Sequence, residues 1–262
     1  MKRKTVQNSI TASGLGVFSG KETQVKISPG DEGLILSFSG KSIRIGENWK
    51  HLGRCSSVRV NDADIKLTEH FLAAARIWGL TDAFIEISFP EFPILDGCGL
   101  EWFQMLERGR ASFLDKEIET FTPSKTIIYA QDDIFLCWKP SKDLKVTILY
   151  HHLDDRIPVY YETFDLKNEN DKKTILKSKT FIFEEEIEGL LEQKIINHES
   201  EKAINSVEII GQQEPGLFIP AHKCLDLIGD IYLSGKVFSG EFLSVRGGHA
   251  SNQKLLEKAL KK

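Results

Sequence analysis

The chain has 262 residues, 41% of them hydrophobic and 27% charged, and carries a formal net charge of −4, a balance ordinary for a globular protein. That net charge gives no sign of a nucleic-acid footprint, and no apolar run approaches the ~20 residues of a membrane helix. No nucleic-acid partner and no stable membrane insertion are therefore expected.

The N-terminal run Met1-Lys2-Arg3-Lys4 is basic but has no apolar core behind it, so it is not read as a secretory signal. Cys55, Cys98, Cys137 and Cys224 are far apart and form no Cys-x-x-Cys pair. Zinc-finger chemistry and a disulfide framework are both disfavoured, and the four are read as reduced thiols of a cytoplasmic protein.

The first forty residues predict β structure. Residues 6–11 lead into the turn Gly14-Leu15-Gly16-Val17-Phe18-Ser19-Gly20. Its glycines suit a tight hairpin or a phosphate cradle, but no P-loop lysine follows, which favours the hairpin. Residues 23–27 and 33–38 alternate apolar and polar side chains, as half-buried strands do, and residues 54–60 predict a further strand.

Residues 71–79 predict a helix rich in Ala and Leu, with Gly79 as its C-terminal stop and with Glu69 and His70 in its first turn. Residues 82–89 predict a strand. The turn Pro93-Ile94-Leu95-Asp96-Gly97 then feeds a helix over 100–108, whose apolar stripe has a charged back.

From about residue 119 the strand-then-helix order begins again. Strands are predicted over 125–129, 134–139 and 144–151. Residues 165–179, polar and lysine-rich, read as a connection. Helix is expected over 184–192, strand over 203–210, helix over 221–234, strand over 238–245 and a last helix after Arg246-Gly247-Gly248-His249. Two α+β domains of similar size follow from this order, residues 1–118 and 119–262, with no evident sequence identity between them.

Three stretches carry chemistry. On the helix over 221–234, His222 and Asp226 lie four apart and share a face, with Asp230 one turn on. An imidazole and a carboxylate so spaced can grip one divalent ion. Zinc accepts both donors and, in catalytic sites, takes three protein ligands and leaves a position for water. The same spacing also serves surface ion pairs, and spacing alone leaves both readings open. Cys224, at i+2, points to another face and reads as core.

If His70 were the third ligand, its neighbour Glu69 would point about 100° away on the helix and could take a proton from a metal-activated water. The alternative is a Glu69 that only complements the helix dipole. His249, behind two glycines and before a helix, could serve as an acid because its ordinary pKa lies near neutrality. A merely exposed histidine is the other reading.

Taken in order, the Gly14–Gly20 block, Glu69-His70 with its Ala-rich helix, Pro93–Gly97, Thr180-Phe181, the run from His222 to Asp230 and Gly248-His249-Ala250-Ser251-Asn252 resemble the UDP-3-O-acyl-N-acetylglucosamine deacetylase family. These are zinc amidases that commit a sugar nucleotide to lipid A synthesis in Gram-negative bacteria, and the resemblance spans nearly the whole chain. It implies two stacked α+β domains with helices sandwiched between two sheets. It also implies Zn2+ held by His70, His222 and Asp226, with Glu69 as general base.

By the same resemblance Thr180 would help hold the oxyanion, His249 would assist the leaving amine with Asp230 orienting it, and Lys223 and Phe181 would face the substrate. Residues 181–210 would form a passage for the acyl chain. The implied protein is a cytoplasmic, monomeric amidohydrolase acting on an acylated UDP-sugar. The alternatives are a paralogue acting on another N-acetyl sugar and a non-catalytic sugar-nucleotide-binding relative. The chain departs from the family at Phe18, where histidine is usual, at Lys66-Leu67-Thr68 (Ser-Thr-Val), at Cys98 and at Glu214-Pro215-Gly216-Leu217-Phe218-Ile219-Pro220. None of these is an implied ligand, base or acid.

Overall fold

The structure, a computed structural model, describes residues 1–152, 157–210 and 218–261. Of the departure at residues 214–220, residues 214–217 lie outside the described residues. The fold is mixed α+β, built on two five-stranded sheets. The first has the order Ile10–Leu15, Glu22–Ser28, Ala83–Ile87, Leu34–Phe38, Lys41–Arg44; the second, Ile127–Gln131, Ile134–Lys139, Gly240–Val245, Leu144–Tyr150, Tyr160–Asp165.

The two orders are the same. In each sheet the strand that comes last in sequence is inserted in the middle, antiparallel to the second and parallel to the third. A duplicated topology therefore underlies halves whose sequences do not visibly match. Strand positions ask mainly for alternation, seen in the buried-exposed pattern of Glu22–Ser28, and many sequences meet that requirement.

A parallel neighbour needs a crossover, usually a helix. Among the described residues the helices are α1 (Glu69–Trp78), α2 (Leu100–Gly109), α3 (Glu169–Lys177), α4 (Glu184–Glu192), α5 (Glu201–Ile204), α6 (Phe218–Tyr232) and α7 (His249–Leu260). Helix α1 leads into the inserted strand of the first sheet and α6 into that of the second, so they hold equivalent places. They pack on each other between the sheets, within an apolar core that both halves share.

Helix α1 forms where Ala73, Ala74 and Ala75 favour it. It stops at Gly79, whose left-handed φ of 86° lets its N–H reach the Ala75 carbonyl. Helix α6 is apolar on nearly every side and almost wholly buried. Such a helix belongs in the middle of a protein, and it carries its polar residues inward.

Several local expectations are corrected. Residues 6–11 do not run as one strand; Lys2–Val6 pairs with Ala111–Glu117, and a break precedes Ile10–Leu15. The connection expected over 165–179 contains α3, whose Asn168 cap accepts from the Asn170 N–H and whose Ile175 and Leu176 are buried. Residues 203–210 form the end of α5 and then the short strand Glu208–Ile210, which pairs in parallel with Phe181–Phe183. The helix expected over 221–234 begins earlier, at Phe218, which places Pro220 in its first turn.

The Gly14–Gly20 block is a hairpin. Its N–H groups are used internally: Phe18 N–H and Ser19 N–H donate to the two carboxylate oxygens of buried Glu91 at 2.7 and 3.0 Å. A side chain at Gly16 would run into that carboxylate, because a Cβ there falls 2.4 Å from Glu91 Cδ. The phosphate-cradle alternative is thereby removed.

Candidate metal centre and active site

The face of α6 that carries His222 and Asp226 meets the first turn of α1 at the seam between the sheets. His70, His222 and Asp226 are all buried, and one donor atom from each lies within 4.8 Å of the others. His222 Nε2 stands 3.3 Å and His70 Nε2 3.9 Å from Asp226 Oδ1. The two imidazoles lie edge to face, their centroids 5.2 Å apart.

His222 Nδ1 is 3.1 Å from the Ser178 carbonyl. That carbonyl can only accept, so Nδ1 carries the proton and Nε2 presents a lone pair. A lone pair and a carboxylate oxygen at 3.3 Å repel each other unless a cation joins them. Asp226 Oδ1 is buried with no hydrogen-bond donor among the described residues, although buried polar atoms are nearly always satisfied. The donor set thus fits a divalent cation, and two imidazoles with one carboxylate are a ligand combination zinc takes in catalytic sites.

Protonation agrees with this. Burial, and then the neighbouring His222, holds His70 down at about 3. Burial lowers His222 as well, so both rings are neutral, the form in which imidazole can bind a metal. Burial works against ionisation of Asp226, but His222, Lys223 and His249 outweigh it and hold the carboxyl well below its ordinary range. Lys223 Nζ lies 3.2 Å from Asp226 Oδ2 and 5.5 Å from the centre of the Phe181 ring.

Glu69, the first residue of α1, is buried beside this cluster. Its Oε2 accepts from the Ser56 N–H at 3.0 Å, and its Oε1 lies 3.7 Å from His249 Nε2. Burial pushes the Glu69 carboxyl up to about 8, with the charge of His249 pulling the other way. His249 is the first residue of α7 rather than part of the turn before it. It is not the exposed histidine of the alternative reading, for only 12% of its side chain is accessible. Its Nδ1 donates to Asp230 Oδ2 at 2.9 Å. Burial opposes its charge, yet Asp230 foremost, with Asp226 and Glu69, raises it to about 10.

A pocket of about 340 Å³ opens over these groups. Thr180 lines it, on the same short segment whose Ser178 carbonyl holds His222. Phe181 lines it too, its ring 6.4 Å from that of His222. The rest of the wall is largely apolar. Ile182, Leu190, Ile196 and Ile204 form a small cluster against Val17 and Phe18. Phe18 and Leu67, two of the departures, thus face the cavity.

All nine site residues singled out from sequence are therefore gathered at this pocket or directly behind it. The residues missed are those of the support: Ser56, Ser178, Asn252 and Gln253, each almost inaccessible. Asn252 donates to Asp230 Oδ2 at 2.8 Å, and Gln253 to Ser56 Oγ at 2.7 Å. For the last two a signal existed, since amides three and four residues after His249 share its helix face just ahead of buried Leu255 and Leu256. Nothing local marks Ser56 or Ser178. Of the remaining histidines, His151 and His152 do not join a metal group among the described residues.

A family model described as UDP-3-O-acyl N-acetylglycosamine deacetylase matches residues 3–261. Among curated proteins, the UDP-3-O-acyl-N-acetylglucosamine deacetylase of Leptospira biflexa is 32% identical, with 95% of this chain and 86% of the relative aligned. The proteins of the same name from Aquifex aeolicus and Chlamydia caviae are 28% and 27% identical. Those alignments cover 99% and 98% of this chain and 93% and 96% of the relatives.

Proposed function

The chain belongs to the UDP-3-O-acyl N-acetylglycosamine deacetylase family, and on that premise we propose how it removes the acetyl group from UDP-3-O-acyl-N-acetylglucosamine. In our reading it is a zinc hydrolase of lipid A synthesis, cytoplasmic and monomeric, with domains at 1–118 and 119–262. Among the described residues no helix is long and apolar enough to cross a membrane.

His70, His222 and Asp226 would hold a zinc ion. When bound, the ion supplies a Lewis acid for the amide carbonyl and lowers the pKa of water toward ~7. Glu69, buried beside the three ligands with its Oε2 held by the Ser56 N–H, takes the proton of the attacking water. Thr180 donates its hydroxyl to the developing oxyanion. His249, kept protonated by Asp230, gives its proton to the amine as the C–N bond breaks and acetate departs. Lys223 and Phe181 orient the sugar, and the apolar cluster built on residues 181–210 receives the acyl chain.

The observation that carries this reading is Asp226 Oδ1, buried without a donor among the described residues and faced by imidazole nitrogens from both halves of the chain. Metal analysis of the purified protein, combined with an assay of acetate release from the acylated UDP-sugar, tests it. About one zinc per chain and turnover are expected. Zinc without acetate release points instead to the non-catalytic relative, and turnover only on a different N-acetyl sugar to the paralogue.

A further inference from the structure

Ser56 opens the strand Ser56–Val60, is wholly buried, and bonds to both sides of the chemistry. Its N–H holds Glu69 Oε2 at 3.0 Å. Its hydroxyl donates to Asp230 Oδ1 and accepts from Gln253 Nε2 at 2.7 Å. A serine hydroxyl has one proton to give. With Gln253 occupying an acceptor position, that proton is directed to Asp230.

We propose that Ser56 is a positioning residue that sets the spacing between Glu69 and His249. The inference rests on the reading of those two as base and acid. With Oε2 tied to the Ser56 N–H, Glu69 turns Oε1 toward His249 Nε2 at 3.7 Å, beyond hydrogen-bond length. His249 is held back by Asp230, which is itself held by Ser56 and Asn252. Without the Ser56 hydroxyl, Asp230 loses a donor and His249 is free to close on Glu69. A direct ion pair between them would tie up the base and the acid together. One residue thus acts as a spacer, its backbone on the base and its side chain on the partner of the acid. Gln253 sets the direction of its hydroxyl.

The test uses Ser56→Ala, Ser56→Thr, Gln253→Met and the Ser56→Ala/Gln253→Met double variant. Each is measured for zinc content, thermal unfolding, kcat and KM on the acylated UDP-sugar. Ser56→Ala should lose kcat by about tenfold or more, with KM within about twofold and zinc unchanged, because small misplacements of catalytic groups cost that much. Ser56→Thr, which keeps the donor, should retain at least about a third of wild-type kcat, while Gln253→Met falls about three- to tenfold. The double variant should be no slower than Ser56→Ala, since both act through one hydroxyl. Should Ser56→Ala not fold, Gln253→Met decides on the same kcat-against-KM split. Wild-type kcat in the folded alanine variant, or effects that simply multiply in the double, overturns the inference. An inactive wild type instead overturns the functional reading beneath it.

Discussion

Gly229 of α6 lies directly against the backbone of Glu69: a Cβ added to Gly229 would sit 2.1 Å from the Glu69 carbonyl oxygen. The helix that carries His222 and Asp226 therefore crosses the one that carries Glu69 and His70 with no room for a side chain between them.

Replacing Gly229 by alanine should accordingly be destabilising, although alanine is the better helix former by about 1 kcal/mol. The obstructing atoms are backbone, so the helices must separate and Glu69 must move with α1. A lower melting temperature and a loss of kcat of about tenfold or more are expected. Thermal unfolding and steady-state kinetics check this, and a variant as stable and active as the parent would refute the close crossing.

Glu69→Ala should keep its zinc and lose nearly all turnover. Glu69 stands beside the ligand set and its carboxylate already has the Ser56 N–H as a partner, so the ion does not depend on it. Loss of a general base costs about 10²–10⁴ in rate. Zinc content by elemental analysis and kcat on the same preparation decide the matter; full activity would remove the assigned role.

Chelation should abolish activity and lower the melting temperature of the wild type, because a ligand bound only to the folded state stabilises it. In Asp226→Ala, which lacks the carboxylate facing both imidazoles, added zinc should leave the melting temperature unchanged. A zinc-dependent rise of wild-type size in that variant would exclude Asp226 as a ligand.

His249 is raised from its ordinary 6.5 to about 10, with Asp230 the main cause. A histidine raised by folding stabilises the fold fully below its unfolded pKa of about 6.5, and that stabilisation is lost as the pH rises through about 10. In metal-free protein the stability gap between wild type and His249→Gln should therefore shrink from pH 6.5 to pH 10. Denaturant unfolding across that range measures it. A gap independent of pH would mean the ring is not held as a cation.

How much of this was open to reading along the chain differs from element to element. The spacing of His222, Asp226 and Asp230 placed them on one face, and the Ala-rich run closed by Gly79 marked α1 almost to its ends. Helix α3 was hidden because a lysine-rich run with only Ile175 and Leu176 turned inward shows no helical period. Its packing against α6 and α2 makes it visible. Residues 203–210 looked like one strand, yet only Glu208–Ile210 finds a partner, the edge formed by Phe181–Phe183.

The sequence alone determined which side chains share a helix face, because a period of 3.6 residues is a local property of the backbone. It also carried the ordered blocks by which the family could be named. That His70 stands beside His222 and Asp226, and that Ser56 links Glu69 to Asp230, was decided only in three dimensions. Those pairs are joined by two crossover helices occupying equivalent places in a duplicated sheet and packing against each other. Contacts between positions more than 150 residues apart depend on that packing, and no short-range pattern in the chain encodes it.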